Sequence, residues 1–425
     1  MLDIHFIREN ADLIKAGARK KRIAVDIDRL LAVDEERKSI RQRMDEKKAE
    51  QNRMSNTIAL AQGPERAALI EGMRHVKEGF QELEEKYKTV MEEWQKLMLL
   101  VPNIPDMSVP EGESDADNAE VKKWGEIPQF GFEPKGHVEL MEALGMADFE
   151  RGAKVAGFRG YFLKGDGVLL ANALSQLALK HFLAKGFEPM IVPSLVRREA
   201  FMGTGYLPQG EEDLYKTQDG EFLAGTSEVA TMSYYMDETL DLKDFPKKFL
   251  SYSPCFRREA GSHSKDTKGL FRVHEFFKWE QVVLCEASHA KSVELHEELT
   301  RNAEEFIELL GIPYHTVVNC GGDLGLGQVK KYDIEAWMPS QARYRETHSS
   351  SYFHDFQTRR LNLKYKNAEG KIEFAHSLNN TAVAMPRIFS MLIENYQQAD
   401  GSVKVPDALV PYMGKEVITH GSGTN

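Results

Sequence analysis

The chain has 425 residues with 42% hydrophobic and 9% aromatic content and a net charge of −11, a length for two or three domains and an ordinary globular composition. It has no run of about 18 apolar residues, and its start, MLDIHFIREN, lacks a charged segment followed by an apolar one, so neither a membrane span nor a signal peptide is expected. Cys255, Cys285 and Cys320, odd in number and without C-x-x-C spacing, argue against a disulfide framework and against zinc, and for a reducing cytoplasm.

The first predicted element begins at Leu30. Positions 30, 33, 37, 40, 44, 47, 51, 54, 58 and 61 keep a heptad register, and seven of the ten are apolar. Gln62-Gly63-Pro64 breaks the helix. A second register runs through Leu69, Met73, Val76, Phe80, Leu83, Tyr87, Val90, Trp94, Leu97 and Val101, all apolar. Two such segments around a short break predict an antiparallel coiled-coil hairpin over about 28–101, each arm about 50 Å long at ~1.5 Å per residue. The polar seam positions Arg37, Lys47 and Gln51 weaken packing toward the tip, as in a projecting arm.

The first hundred residues carry 20 Lys+Arg against 19 Asp+Glu, and the remainder 35 against 47. The acidity therefore belongs to the body, and a neutral, cation-dense arm can still hold phosphates. Lys38, Arg41, Arg43, Lys48 and Arg53 give the first helix an RNA-contacting surface, although a solvated face with i,i+4 ion pairs accounts for them too. A dimerisation rod fits the hairpin pattern as well.

Pro102-Asn103-Ile104-Pro105 ends the second helix, and an acidic stretch from Val109 to Glu120 reads as linker. The expected division is 1–105, a linker at 106–135, a larger domain at 136–417 and a disordered tail at 418–425. Leu170, Leu174, Leu177, Ala178, His181 and Phe182 share one helical face, closed by Lys185-Gly186. The β-type runs PMIVPS, FLSYSPCF, FRVHEFFKWEQVVL and SYFHDFQTRRLNLKY, with helices at 170–184 and 288–310, predict an α+β domain built on an antiparallel sheet. GGDLGLG at 321–327 lacks the strand and helix context of a dinucleotide fingerprint and reads as a loop.

The stretch 256–276, FRREAGSHSKDTKGLFRVHEF, is unusually charged for a strand pair. Arg257 and Glu259, two apart, share a strand face; Arg272, His274, Phe276, Lys278 and Glu280 alternate on the return. Such a face is costly to bury without partners, so it meets either water or a polyanion.

Phe256-Arg257-Arg258-Glu259, the polar loop from Ala260 to Lys268 and Arg272 resemble motif 2 of class II aminoacyl-tRNA synthetases. GFEPMIVPSLV, with Pro193, resembles motif 1, and AVAMPRIFSMLIENY (382–396), with Arg387, resembles motif 3. With the hairpin and the strings GTSEVA (225–230), YRETHSSS (344–351), DFQTRR (355–360) and SLNNTAVA (377–384), the chain resembles the bacterial-type seryl-tRNA synthetase family along nearly all its length. Ser350, Glu275, NNTA and Pro386 stand where many members have Cys, Gln, NGSG and Gly.

The resemblance implies a cytoplasmic homodimer that activates L-serine with ATP and moves the seryl group to the 3′ end of tRNA(Ser), and of tRNA(Sec) where that exists. It implies an arm and acceptor-end contact with tRNA and no membrane partner. It assigns Arg257 to the α-phosphate and Arg387 to the γ-phosphate, and counts both with Glu259 as catalytic. Glu259 reads the adenine amino group, Phe276 stacks on the ring and Val273 offers backbone contacts. Arg258 and the loop close over the nucleotide. Glu346 and Ser349 hold Mg²⁺, with Thr347 and His348 lining the ATP site. Thr226, Ser227 and Glu228 take the serine amino group, Glu280 and Thr381 its hydroxyl, with Asn379 close by and Arg257 shared. The motifs also bring in His263 and His274. A pocket of hydrogen-bonding groups rejects alanine without an editing domain. Two other readings remain: a paralogue loading an amino acid onto a carrier, which is expected to lack the arm, and an inactive RNA-binding regulator, which is expected to lose Arg257, Glu259, Glu346 or Arg387.

Overall fold

The computed structural model describes residues 1–261 and 266–420. Residues 262–265 of the charged loop, including His263, and 421–425 of the expected tail lie outside the described residues. The chain divides into two compact units, Met1–Pro102 and Asn103–Asn425.

In the first unit, α1 (Ile4–Glu9) and α2 (Ala11–Lys20) precede the long helices α3 (Ile27–Leu60) and α4 (Gly63–Leu100). The cross-pairs Arg29–Glu93 and Glu36–Lys86 give the antiparallel order of the hairpin. Pro64 lies in the first turn of α4, where a missing N–H costs nothing. The seam follows the heptads: Val33, Ile40 and Met44 pack with Leu83 and Val90. Arg37 departs from the expected weakening. Its guanidinium lies 4.9 Å from the Trp94 ring centroid and bonds Asp34 at 2.9 Å. Asp34, only 1% exposed, also takes the Trp94 Nε1–H at 3.1 Å and pairs with Arg8 on α1. A buried charge thus fastens α1, α3 and α4 together.

The second unit is built on strands β1 (Ala119–Trp124), β2 (Glu188–Ile191), β3 (Lys247–Phe256), β4 (Glu275–Cys285), β5 (Tyr314–Val318), β6 (Lys330–Met338), β7 (Arg343–His354) and β8 (His376–Ala384). Among the described residues they form one eight-stranded sheet in the order β1-β5-β6-β7-β8-β4-β3-β2. Every neighbouring pair is antiparallel except β2 and β3.

Helices α5 (Asp166–Ala184), α6 (Arg198–Thr204), α7 (His289–Leu309), α8 (Phe356–Arg360) and α9 (Met385–Asn395) complete the frame. Leu174 and Phe182 of α5, Leu299 and Phe306 of α7 and Phe389 of α9 bury one sheet face against Trp279, Val283, Ile334 and Leu378. Because strand side chains alternate, Phe276, Lys278 and Glu280 emerge on the other face. Helix α5 is long and apolar enough to cross a membrane by composition, but Leu170, Ala173, Leu174 and Phe182 are fully buried in this core. Gly186 follows it with φ +82°, a left-handed conformation suited to the residue after a helix.

The structure differs from the sequence expectations in four places. The run SYFHDFQTRRLNLKY is not all strand, since α8 occupies Phe356–Arg360. β4 starts only at Glu275, so Arg272 and His274 precede it. The stretch read as linker contains β1, an edge strand whose partner is β5. Ile418, placed in the tail, is fully buried and pairs with Val403.

Burial alone would raise the Asp34 carboxyl, but hydrogen bonds from Arg8 and Arg37 outweigh it and lower its pKa. A group lowered on folding contributes stability above its unfolded value, about 3.9, and loses it as pH falls through the folded value. Asp34→Ala is expected to destabilise the first unit by about 3 kcal/mol at neutral pH, measured as helical circular dichroism against denaturant. The gap between variant and parent is expected to narrow below about pH 4; a gap independent of pH would remove the ionised carboxylate as its cause.

Candidate active site

The sheet face opposite α5, α7 and α9 carries three adjoining cavities. The first, of about 230 Å³, is walled by Arg257, Glu259, Phe276, Glu346, Ser349 and Arg387. Arg257 leaves β3 just after Phe256. Its backbone N–H donates to His274 O at 2.9 Å, its Nε donates to Gly225 O at 3.2 Å, and its guanidinium lies 5.4 Å from the Phe276 ring centroid. Gly225 permits this approach, since a Cβ there would lie 3.2 Å from Phe256 O. Glu259 does not continue the strand. Its φ of +55° turns the chain, and its carboxylate pairs with Arg272. The two residues share the cavity, as expected, but through a turn and not through strand alternation.

Glu346 and Ser349 are three apart on β7, which in a regular strand puts them on opposite faces. The register between β6 and β7 shifts so that Thr347 is the extra residue of a bulge, and Glu346 and Ser349 both reach the cavity. A second shift on β8 makes Ala382 extra and brings Thr381 and Ala384 to the same wall. His348 sits fully buried between these bulges, with Nδ1 2.9 Å from Thr347 Oγ1 and Nε2 3.1 Å from Ala382 O. Burial pushes its pKa down to about 3. It fastens the two bulges together and, unlike Thr347, does not line the cavity.

Arg387, on the first turn of α9, contacts Glu346 Oε1 at 3.0 Å and donates to its backbone carbonyl at 3.1 Å. Burial would raise the Glu346 carboxyl, but Arg387, Lys331 and Arg257 reverse this and lower it. The second cavity, of about 770 Å³, continues outward from Arg387 and Glu346 past Lys331, Asp333, Arg343 and Arg345. Phe271 is covered by two cations, Arg345 at 3.9 Å and Arg387 at 5.2 Å from its centroid. The first cavity, with five cations against the two carboxylates Glu259 and Glu346, can bind a polyanion.

The third cavity, about 370 Å³, is walled by Thr226, Glu228, Lys278, Glu280, Asn379 and Thr381. Glu280, 3% exposed, lies in ion-pair contact with Lys278, yet its Oε2 lacks hydrogen-bond geometry to any group. Burial is the main cause of its raised pKa, with Lys278 opposing. It is a buried acceptor open to a ligand hydroxyl. Lys278, 4% exposed, donates to Thr226 Oγ1 at 2.7 Å and lines both this cavity and the first.

Most residues expected from the motifs therefore converge. Val273 lines the first cavity too. Four expected residues do not. Ser227, 1% exposed, donates to Ser251 O at 3.3 Å. Arg258 is exposed and bonds Glu212 O at 3.0 Å. His348 is the third. His274, the fourth, braces Arg257 O at 2.9 Å from behind. Lys278 and Lys331 were missed as site residues; the alternation of Phe276, Lys278 and Glu280 was the available signal for the first. On the arm, Arg41, Arg43, Lys48 and Arg53 are exposed, while Lys38 lies 3.5 Å from Asp34.

Residues 215–396 match the family model of the tRNA synthetase class II core domain (G, H, P, S and T). The sheet and its cation-lined cavities are the core of a class II synthetase, a ligase. Residues 1–105 match the seryl-tRNA synthetase N-terminal domain. A serine–tRNA ligase of Deinococcus radiodurans is 44% identical over 420 residues, covering 98% of this chain and 99% of that protein. The chain belongs to the seryl-tRNA synthetase (serine–tRNA ligase) family. A crystal structure of seryl-tRNA synthetase from Pyrococcus horikoshii complexed with ATP superposes with a TM-score of 0.90 at 37% identity, covering 99% of this chain and 100% of that one. The cytoplasmic serine–tRNA ligase of Naegleria fowleri in complex with AMP gives 0.86 at 33%, covering 99% of each.

Arg257→Ala is expected to lower amino-acid-dependent pyrophosphate–ATP exchange by about a hundredfold or more with far-ultraviolet dichroism unchanged. Exchange at the parental rate would remove Arg257 from the reaction.

Proposed function

We propose that the chain couples L-serine to ATP, giving seryl-adenylate and pyrophosphate, and then transfers the seryl group to the 3′ end of tRNA(Ser), or tRNA(Sec) where present. The observation that carries this reading is the convergence of Arg257, Glu346 and Arg387 on one cavity that opens directly onto a hydrogen-bonding pocket containing Glu228, Glu280 and Thr381.

In the first step the serine carboxylate oxygen attacks the α-phosphorus and pyrophosphate leaves. Two anions must meet, so the chain surrounds the phosphorus with cations. Arg257 holds the α-phosphate and Arg387 the γ-phosphate. Phe276 offers a stacking face for adenine, Glu259 accepts from its amino group, and Val273 supplies backbone contacts. In the second step a ribose hydroxyl of the terminal nucleotide attacks the carbonyl carbon, and AMP leaves. Glu346 and Ser349 offer hard oxygen ligands on one wall, the set Mg²⁺ takes together with substrate phosphates. When bound there, the ion would neutralise phosphate charge.

In the pocket, Glu228 and Thr226 take the serine ammonium, Glu280 and Thr381 its hydroxyl, with Asn379 beside them. Alanine leaves the buried Glu280 acceptor unmet, which discriminates strongly. Residues 1–102 form the tRNA-binding domain through Arg41, Arg43, Lys48 and Arg53, and 103–420 the catalytic domain, β1 and Ile418 included. We assign a cytoplasmic homodimer. The support for dimerisation is apolar surface on the motif 1 elements and beside them: Leu169 and Leu183 on α5, Ile191 on β2 and Phe277 on β4 are 47%, 43%, 86% and 43% exposed.

The deciding experiment is pyrophosphate–ATP exchange with each of the twenty amino acids in the absence of tRNA. Serine alone is expected to support exchange; another amino acid doing so would overturn the pocket assignment while keeping the nucleotide site. Deleting residues 35–97 is expected to leave serine-dependent exchange near the parental rate and abolish tRNA charging. Charging that survives would show that the arm is not the tRNA-binding element.

A further inference from the structure

The string DFQTRR contains a residue that touches none of the three cavities yet controls one of their walls. Gln357, on α8, is 1% exposed. Its Nε2 donates to Glu228 Oε1 at 2.7 Å and to Thr204 O at 3.2 Å, and its Oε1 accepts from Ser377 Oγ at 2.7 Å. A glutamine amide has two N–H donors and one carbonyl. Here both kinds of group are engaged, by partners that admit only one orientation. Turning the amide over would set its carbonyl against the Glu228 carboxylate and the Thr204 carbonyl, two acceptors with no proton to give. Ser377 itself is fully buried at the start of β8, so the lock is anchored in the sheet.

The second Glu228 oxygen is held from another direction. Tyr206 donates its hydroxyl to Oε2 at 2.8 Å. Gly205, with φ +94°, ends α6 and lets the chain turn into Tyr206. Gly203 lets α6 close on the segment after α8, since a Cβ there would fall 2.2 Å from Leu361 Cδ2. The Glu228 backbone N–H is fixed too, donating to Thr226 Oγ1 at 3.2 Å. Each carboxylate oxygen thus receives one donor, from Gln357 behind the wall and from Tyr206 on it, and Glu228 lines the cavity.

We infer that Gln357, oriented by Ser377, is a positioning residue for amino-acid recognition: it aims the Glu228 carboxylate at the α-ammonium of the bound amino acid. The inference rests on the reading of Glu228 as the ammonium acceptor. Gln357 contributes donors that an apolar side chain of similar size cannot replace, and without them a buried carboxylate loses a charge-assisted hydrogen bond and its fixed direction.

The test uses the full chain in pyrophosphate–ATP exchange, with KM for serine and for ATP determined separately. Gln357→Leu is expected to raise the serine KM about tenfold or more, the scale of one hydrogen bond to a charged group, with a smaller change in kcat and the ATP KM within about twofold. Glu228→Gln is expected to raise the serine KM as well, and the double variant to be no worse than Glu228→Gln alone, because Gln357 acts through Glu228. Ser377→Ala, which removes only the hydroxyl orienting the amide, is expected to raise the serine KM by less and to leave the thermal midpoint near the parental value. It decides the matter if Gln357→Leu does not fold. An unmoved serine KM in Glu228→Gln would overturn the ammonium reading and this inference with it. A raised KM in Glu228→Gln with an unmoved one in Gln357→Leu, or costs that add in the double variant, would overturn the inference and leave the reading of Glu228 standing. If Gln357→Leu does not fold, an unmoved serine KM in Ser377→Ala would likewise overturn it.

Discussion

A site for a polyanion must collect cations on a partly buried surface, and those cations repel one another and resist losing water. The second unit meets this constraint by giving five of its cavity-facing cations a carboxylate each. Arg387 lies against Glu346, Arg272 against Glu259, Arg345 against Asp266, Lys331 against Asp333 and Lys278 against Glu280. Arg257 is held differently, by the Gly225 carbonyl. The first cavity still keeps an excess of cations, with Arg257, Arg272, Lys278, Lys331 and Arg387 against Glu259 and Glu346. The pairing also explains why carboxylates and cations are interleaved through the charged motif instead of being segregated.

The pairing requires side chains from three strands (β4, β6 and β7), one helix and the connection between β3 and β4 to arrive at fixed points, and a regular pleat does not deliver them. The bulges at Thr347 and Ala382 move Glu346 and Ala384 onto the same wall as Ser349 and Thr381. Bulges leave backbone groups without ladder partners. His348 joins the two, which is a structural duty for a residue whose motif pointed to the nucleotide. The helical layer on the far face supplies the rigidity: α5 is tied to β4 by the Trp279 indole N–H donating to Ser175 Oγ at 2.9 Å. The third cavity depends on the same principle, with Glu228 fixed by groups from α8 and from the turn after α6.

Much of this was legible in the residues. The hairpin could be read because heptads are local: each seam residue meets a neighbour whose position follows from helical period alone. The cavity residues Arg257, Glu259, Glu346 and Arg387 were legible because their motifs are short and their chemistry is demanding. Glu259 was assigned to the right wall for the wrong reason, since its left-handed backbone is set by the turn after β3. Arg37, read as a weak point of the seam, is instead stacked on Trp94 and paired with Asp34, which no period could reveal.

What the sequence by itself determined was the helical hairpin, the order of the motifs and the chemistry available to them, because these depend on contacts within a few residues. The tertiary structure alone decided which of those groups meet. Gln357 and Glu228 are 129 residues apart, and Lys278 and Thr226 are 52 apart. Their meeting depends on sheet register, on two bulges and on the close packing of α6 against the chain after α8. Register is a collective property of paired strands, so a single residue added to one strand changes every partner beyond it, and no local pattern encodes that outcome.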